Sequence, residues 1–365
     1  MVSAVNIRKG GTLTILRDCL DYLSELARRN RVRVVALVHK KELAYHDNIE
    51  YIEMPWTIKS WAGRLFAEYV LMYFKSKKIG EIDLWLSLHD TTPNVKAKRR
   101  AVYCHNPFPF FKSKFNDVFV NYHIFAFSKF SKYIYQTNLS KNDYVIVQQR
   151  WLKDEFISLF NTDPNKVIIS HPQNLNFQFD NFPVDKQDGI YQFIYPSFGD
   201  IHKNFEVLCE ATEILEKELG EGKFRVKLTL SPDLNKYTKK LYNKWGHVKS
   251  LEFAGFMTQE KLFREYVNSD CMVFPSKVET WGLPITEFAV TGKPMLLSDL
   301  PYAHETAGGS VQTGFFNPED ARELAGLMRR LIEGDKGMLR RIAPTEIGEP
   351  KAETWKELFE VLLND

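Results

Sequence analysis

The chain has 365 residues, 44% hydrophobic and 26% charged, a composition that suits a soluble protein of two domains rather than one oversized core. Its 49 Lys and Arg against 46 Asp and Glu leave a formal charge of +3, too small a surplus to mark a nucleic-acid partner. No apolar run reaches the roughly 18 residues of a membrane span, and no signal-peptide pattern opens the chain.

In chain order, Val2–Val5 is predicted as a strand, followed by the loop Arg8-Lys9-Gly10-Gly11 and a helix from about Thr12 to Arg29. The β-branched run Val32–Val38 is a buried strand. Trp56–Lys77 reads as helix, Leu84–Leu88 and Ala101–Cys104 as strands, and Asn121–Thr137 as helix. Tyr144–Val147 is a strand, Arg150–Phe160 a helix and Val167–Ile169 a strand. Such a β-α-β series implies a parallel sheet with helices on both faces.

Residues 173–189 are polar, contain Pro and Gly, and lack a period, so they are expected to link two domains. A second series follows: strand Gln192–Tyr195, helix Asn204–Leu219, strand Arg225–Leu230, helix Leu234–Trp245, strand Val248–Phe253, helix Gln259–Asn268 and strand Cys271–Phe274. A helix after Pro284, the strand Pro294–Leu297 and the helix Thr354–Leu363 complete it. The expected domains are 1–172 for the acceptor, 190–345 for the donor, and a C-terminal helix within 346–365 that crosses back to the first.

The string Pro275-Ser276-Lys277-Val278-Glu279-Thr280-Trp281-Gly282-Leu283-Pro284-Ile285-Thr286-Glu287 is the most informative stretch. A strand ends at Pro275-Ser276, Pro284 suits the start of a helix, and Gly292 and Pro294 stop it. Glu279 and Glu287 flank the helix start, eight positions apart. A helix N-terminus favours an anion such as phosphate, and carboxylates accept hydrogen bonds from hydroxyls. Phosphate flanked by hydroxyls describes a nucleotide sugar. Glu near a helix start also merely complements the dipole, so spacing alone leaves both readings open.

The whole string, through Gly292 and Pro294, closely resembles the donor-binding signature of retaining glycosyltransferases of family four. That resemblance implies the GT-B fold, two Rossmann-like domains whose parallel sheets face a central cleft. It also implies transfer of a sugar from a nucleotide diphosphate donor to a hydroxyl of a glycan or lipid-linked acceptor, as in polysaccharide biosynthesis. By the same resemblance Glu279 contacts donor sugar hydroxyls, backbone N–H groups at Thr280, Trp281, Gly282 and Leu283 hold phosphate and sugar, and Glu287 binds ribose. Ile201-His202-Lys203-Asn204 resembles the segment that supplies the phosphate-binding Lys, here Lys203, with Asn204 suited to cap the following helix. Many relatives carry an Arg about six residues earlier, where this chain has Ser197. The family has a His beside the donor sugar, a role that falls to His105 in Tyr103-Cys104-His105-Asn106-Pro107. Gly10-Gly11 would lie near the diphosphate, and Phe256 beside the base. A lone Gly-Gly makes ordinary turns as well, and Lys203 is equally readable as a solvated charge. His89-Asp90 is the competing pair to His105, with a plain loop hydrogen bond as its alternative.

No Asp-x-Asp motif ends a strand, so no metal and no cofactor are expected, the diphosphate being met by Lys203 and helix N-termini. The four scattered cysteines (Cys19, Cys104, Cys209, Cys271) form no C-x-x-C pair, as expected of reduced thiols in a cytoplasmic protein. Two rival functions share these features: a GT-B epimerase acting on the nucleotide sugar itself, and a non-catalytic nucleotide-sugar binding subunit. Finally, Lys96, Lys98, Arg99 and Arg100 precede a stretch that interleaves Phe110, Phe111, Lys112, Lys114, Phe115, Phe119, Phe125, Phe127, Lys129, Phe130, Lys132 and Tyr133. Such a surface can rest on anionic headgroups at the inner face of a membrane, or its Phe residues can fill the core.

Overall fold

The structure is a computed structural model that describes residues 1–30, 32–111, 130–172, 182–185 and 189–363. Two compact units emerge, each built on its own sheet. Met1–Phe110, Phe130–Asn174 and Ile347–Asp365 form the first, and Leu175–Glu346 lies in the second.

The first sheet has seven parallel strands in the order β3-β2-β1-β4-β5-β6-β7. They are β1 (Val2–Ala4), β2 (Val35–Val38), β3 (Glu50–Glu53), β4 (Leu84–Ser87), β5 (Arg99–Tyr103), β6 (Tyr144–Val147) and β7 (Val167–Ile169). Alternate residues feed different cores. Ala36, Val38, Leu84 and Leu86 pack with the helices Gly11–Asn30 and Trp355–Leu363, whereas Leu37 and Trp85 pack with Ala67 and Met72. A sheet covered on both faces therefore needs continuous apolar strands. The last helix completes this unit through Tyr22 and Phe359, stacked at 5.5 Å.

The second sheet has six parallel strands in the order β10-β9-β8-β11-β12-β13. They are β8 (Tyr191–Tyr195), β9 (Phe224–Leu228), β10 (Leu251–Phe253), β11 (Cys271–Phe274), β12 (Met295–Ser298) and β13 (Thr313–Phe316). Both orders reverse direction once, between β1 and β4 and between β8 and β11. In open parallel sheets, ligands bind beyond the strand ends at such a reversal.

Several local expectations are corrected. The segment read as one helix over Trp56–Lys77 is a short turn at Pro55–Ile58, a helix Trp61–Phe66, a π turn Ala67–Leu71 and a helix Met72–Ile79. Ser60 accepts from the Gly63 N–H and so starts a new helix. Asn204 does not cap its helix. It sits at φ 57 with no capping bond, and its amide instead donates to the Pro275 and Pro318 carbonyls at 3.1 and 2.8 Å. The strand expected over Val32–Val38 starts at Val35, after exposed Val32. Strands β3 and β13 and the helix Ala321–Ile332 were not foreseen. The two strands lie at sheet edges, one bounded by Glu and the other containing Gly314. The helix was legible, since Asp320 caps it and Ala321, Leu324, Ala325, Met328 and Leu331 form its buried face.

Of the basic and aromatic stretch, Phe110 packs in the core with Phe156 and Tyr135 is buried, while Phe130 and Tyr133 are exposed. Lys112, Lys114, Phe115, Phe119, Phe125, Phe127 and Lys129 lie outside the described residues, as does most of 173–189. All four cysteines are buried and free. Among the described residues, no helix is long and apolar enough to cross a membrane.

Candidate active site

In the second unit, the loops after β8 and β11 straddle the strand-order reversal and bring two of the expected residues together. Lys203 ends a short turn, Ile201–Lys203, that follows β8. Its Nζ lies 2.5 Å from Glu279 Oε1, and both side chains are largely enclosed. Ser276 Oγ donates to the same carboxylate oxygen at 2.7 Å. Tyr195, the last residue of β8, donates its phenol proton to the Lys203 carbonyl at 2.7 Å, and its oxygen lies 3.1 Å from Ser276 Oγ. Tyr302 anchors the other loop through the Ser276 carbonyl at 2.7 Å. Lys277 N–H donates to the His202 carbonyl at 2.8 Å and ties the two loops by their backbones. Tyr195, Ser276 and Tyr302 escaped the sequence reading. Their one signal was position, since Tyr195 and Ser276 stand at strand ends.

The Ser197 N–H donates to Thr229 Oγ1 at 2.9 Å. The nearby Lys277 is paired with Glu319 at 3.1 Å.

The helix Leu283–Ala289 begins after Gly282, which holds φ 92. A Cβ there would lie 3.2 Å from the Ile285 side chain, and the left-handed backbone strains any other residue. The buried Trp281 indole donates to Thr286 Oγ1 at 2.8 Å, and Thr306 donates to the Trp281 carbonyl. Trp281 is thus fixed inside the unit and leaves only its backbone for a ligand. Thr280 and Leu283 are half-buried beside it.

Glu287 stands apart from the Lys203–Glu279 pair. It accepts a 2.9 Å hydrogen bond from Tyr266 of the helix Gln259–Asn268. Burial pushes its carboxyl above the ordinary range, while the Tyr266 phenol favours the charged form. Tyr266 was not foreseen either. Phe256 is exposed and stacks on Phe198 with ring centroids 6.2 Å apart and planes 20° apart. Phe198 follows β8 and Phe256 follows β10, so the two rings form a flat apolar step at the strand ends.

The remaining candidates belong to the first unit. Gly10 takes φ 69, and the helix Gly11–Asn30 starts at once after it. His105 follows β5, half-buried, with its ring stacked on Tyr103 at 4.5 Å. Burial pulls its pKa down to about 3, against a hydrogen bond to the Leu88 backbone. The rival pair, His89-Asp90, splits into two structural tasks. His89 is buried, with Nε2 2.9 Å from Ser3 Oγ and Nδ1 3.0 Å from Thr91 Oγ1. Asp90, at φ 71, accepts from the His105 and Asn106 N–H groups at 2.6 and 3.0 Å. Behind them, the π turn aims Glu68 inward to Arg64 at 2.6 Å and Thr91 at 2.6 Å, and Arg64 donates to the His89 carbonyl at 2.8 Å. Among the described residues, no three His, Cys, Asp or Glu gather as metal ligands.

Residues 176–345 match the family described as glycosyl transferases group 1. Over 199 residues the chain is 26% identical to an uncharacterized glycosyltransferase of Methanocaldococcus jannaschii, covering 52% of this chain and 50% of that protein. Over 158 residues it is 27% identical to the serotype-specific mannosyltransferase WbdA of Escherichia coli, covering 42% of this chain and 19% of that one. The chain thus spans half or less of these relatives. Among solved structures, WaaG, a glycosyltransferase involved in lipopolysaccharide biosynthesis, matches over 100% of both chains with a TM-score of 0.66 at 13% identity. HepE of Anabaena, in complex with UDP and glucose, matches over 92% of this chain and 91% of its own with a TM-score of 0.59 at 14% identity. These likenesses establish the GT-B fold.

Proposed function

We propose, from the match of residues 176–345 to glycosyl transferases group 1, that the chain is a retaining glycosyltransferase. It moves a sugar from a nucleotide diphosphate donor to a hydroxyl of a glycan or lipid-linked acceptor, in polysaccharide assembly at the cytoplasmic side of a membrane. The observation that carries this reading is the ion pair of Lys203 and Glu279 at the strand-order reversal. A cation there meets the charge that develops on a departing diphosphate. The carboxylate beside it accepts from sugar hydroxyls and holds the ammonium in place.

Glu287, set by Tyr266, takes the ribose hydroxyls, and the Phe256 ring takes the base. The backbone from Thr280 to Leu283 takes phosphate and sugar, and Gly10 and Gly11 let backbone approach the diphosphate. His105, held neutral by burial, offers the reacting sugar a polar ring without adding charge. No metal enters this account, because Lys203 and backbone N–H groups supply the positive field.

A panel of nucleotide sugars screened by thermal shift tests the donor site. Saturation at about a hundredfold above Kd adds roughly 2.7 kcal/mol to apparent stability. Donors that bind are then incubated with and without glycan and lipid-linked acceptors, and nucleotide release and product linkage are measured. Release that depends on acceptor, with the donor's anomeric configuration kept, is expected. Altered donor without acceptor supports epimerisation instead, and binding without turnover supports a non-catalytic subunit. A panel in which no nucleotide sugar binds overturns the reading.

A further inference from the structure

The proposed chemistry uses His105 and the Asp90 carboxylate that holds its loop, but not the buried charges behind them. Arg64 and Glu68 stand where the π turn Ala67–Leu71 interrupts the helical segment 61–79. Glu68 is buried, with Arg64 Nε 2.6 Å from its Oε1. The Trp61 ring centroid lies 5.2 Å from the Arg64 guanidinium carbon. A buried ion pair adds little stability by itself, because desolvation offsets the attraction. The other bonds of this pair's side chains go to one short segment, residues 89–91. Arg64 Nη2 donates to the His89 carbonyl at 2.8 Å. Thr91 Oγ1 donates to Glu68 Oε2 at 2.6 Å, and His89 Nδ1 lies 3.3 Å from Glu68 Oε1.

The far side of the segment is held as well. The Thr91 hydroxyl gives its proton to Glu68, so its 3.0 Å contact with His89 Nδ1 assigns the ring proton to Nδ1. His89 Nε2 then accepts from Ser3 of β1 at 2.9 Å, and Ser87 of β4 donates to the Thr91 carbonyl at 2.7 Å. Residues 89 and 91 are thus gripped between the ion pair and two strands. Asp90 lies between them. Its backbone is kept at φ 71, and its carboxylate meets the His105 and Asn106 N–H groups at 2.6 and 3.0 Å. A non-glycine residue persists in the left-handed region where its surroundings over-determine it. Burial raises the Asp90 pKa, and the His105 N–H and then the Arg64 charge oppose that rise.

We propose that Arg64 and Glu68 are positioning residues, which clamp residues 89–91 so that Asp90 sets the backbone of His105 for the reacting sugar. The link to turnover rests on the transferase reading above, whereas the clamp itself does not.

The test replaces the pair by apolar side chains in the full chain, Arg64→Met/Glu68→Leu, a change that a purely structural buried pair tolerates. The Thr91 hydroxyl can then turn to the His89 carbonyl, 3.4 Å away and released by Arg64. Amide hydrogen exchange at His105 and Asn106, which needs no turnover, is expected to quicken by about tenfold or more while the melting temperature is kept. At saturating acceptor, kcat is expected to fall by about tenfold to a hundredfold, with donor KM changed by less than about twofold. In an Asp90→Ala background the same replacement is expected to cost less than about twofold in kcat, because both changes act through one contact. Arg64→Lys keeps the buried charge but loses the second donor to the His89 carbonyl, and is expected to lie between wild type and the double variant in both readouts. It carries the same test if the double variant does not fold. Exchange at 105 and 106 as slow as in wild type overturns the clamp. Quickened exchange with kcat unchanged overturns the positioning role, as does a loss of kcat that is just as large in the Asp90→Ala background. A wild type that turns over no donor overturns the transfer reading, and exchange alone then decides the clamp.

Discussion

Lys203 and Glu279 meet at 2.5 Å although 76 residues separate them in the chain. The strand order β8-β11 makes them neighbours: each sits on the loop that leaves its strand, and the two strands are paired in parallel. Ser276 and Tyr195 then fix the loops that carry them. The pair is thus one electrostatic unit, and altering one member changes what the other presents.

Glu279→Ala should therefore separate binding from turnover. Loss of the carboxylate frees the Lys203 ammonium for an incoming diphosphate, so calorimetric affinity for the nucleoside diphosphate stays the same or tightens. Turnover falls by about 10²–10³, the range for loss of one preorganised polar group in an active site. Lys203→Ala should do the reverse to binding, weakening the diphosphate by about 1.5–3 kcal/mol. Equal losses of diphosphate affinity in both variants would sink the division of labour.

Glu287 and Tyr266 form a second unit with a graded prediction. Glu287→Ala should weaken donor binding by about 1–3 kcal/mol, and Tyr266→Phe by about 0.5–1.5 kcal/mol, with kcat little changed in the latter. Since burial raises the Glu287 pKa, the carboxylate is lost at higher pH than for an exposed Glu. Donor affinity should fall as pH drops through that raised value, and in Tyr266→Phe the fall should begin at higher pH, because a donor to the charged form is gone. Isothermal titration at several pH values checks the ordering. Full donor affinity in Glu287→Ala removes ribose from this carboxylate.

The proposed charge placement predicts metal independence. With Lys203 and backbone N–H groups on the diphosphate, turnover should survive EDTA and gain less than about twofold from added magnesium or manganese. Complete loss on chelation, restored by either ion, would show that the positive field is supplied differently.

The parts legible in the sequence are those dictated by local pattern. Buried parallel strands read as apolar runs because both faces are covered, so β6, β7 and β11 match their expected limits. Edge position alone does not decide it, since β7 is an edge strand with all three residues buried; Glu50–Glu53 is polar at both ends and Thr313–Phe316 contains Gly314, hence their omission. Glu279 and Lys203 were legible as residues at strand ends, but their pairing depends on which strands become neighbours, which no local window contains. Tyr195, Tyr266 and Tyr302 were invisible for a related reason. A tyrosine in an apolar run looks like core, and only the fold shows what its hydroxyl reaches. Asn204 shows the opposite failure: a residue with capping chemistry spends its side chain on distant carbonyls and adopts a left-handed backbone.

His105 depends on Asp90 for its place, and this yields the last prediction. Asp90 holds φ 71, which Asp tolerates better than most residues, and its one oxygen accepts from two successive N–H groups at 2.6 and 3.0 Å. Asp90→Ala strips both N–H groups of that acceptor, costs about 1–3 kcal/mol of stability, and lets the His105 loop shift. The expected signature is a lower kcat with donor KM nearly unchanged. Asp90→Asn keeps an oxygen at the same place and should restore most of the rate. His105 itself, with a pKa near 3, stays neutral from pH 5 to 8, so kcat should show no inflection near 6.5 from this ring. The linkage sign is fixed by the same depression. Below about pH 6.5 the unfolded chain takes up a proton that the folded His105 refuses, so stability is lost as pH falls from 6.5 toward 3, by up to about 1.4 kcal/mol per pH unit. His105→Gln should flatten that slope in chemical denaturation. An Asp90→Asn variant as slow as Asp90→Ala, or a kcat inflection near 6.5 that vanishes in His105→Gln, would remove the neutral, Asp90-held histidine from the mechanism.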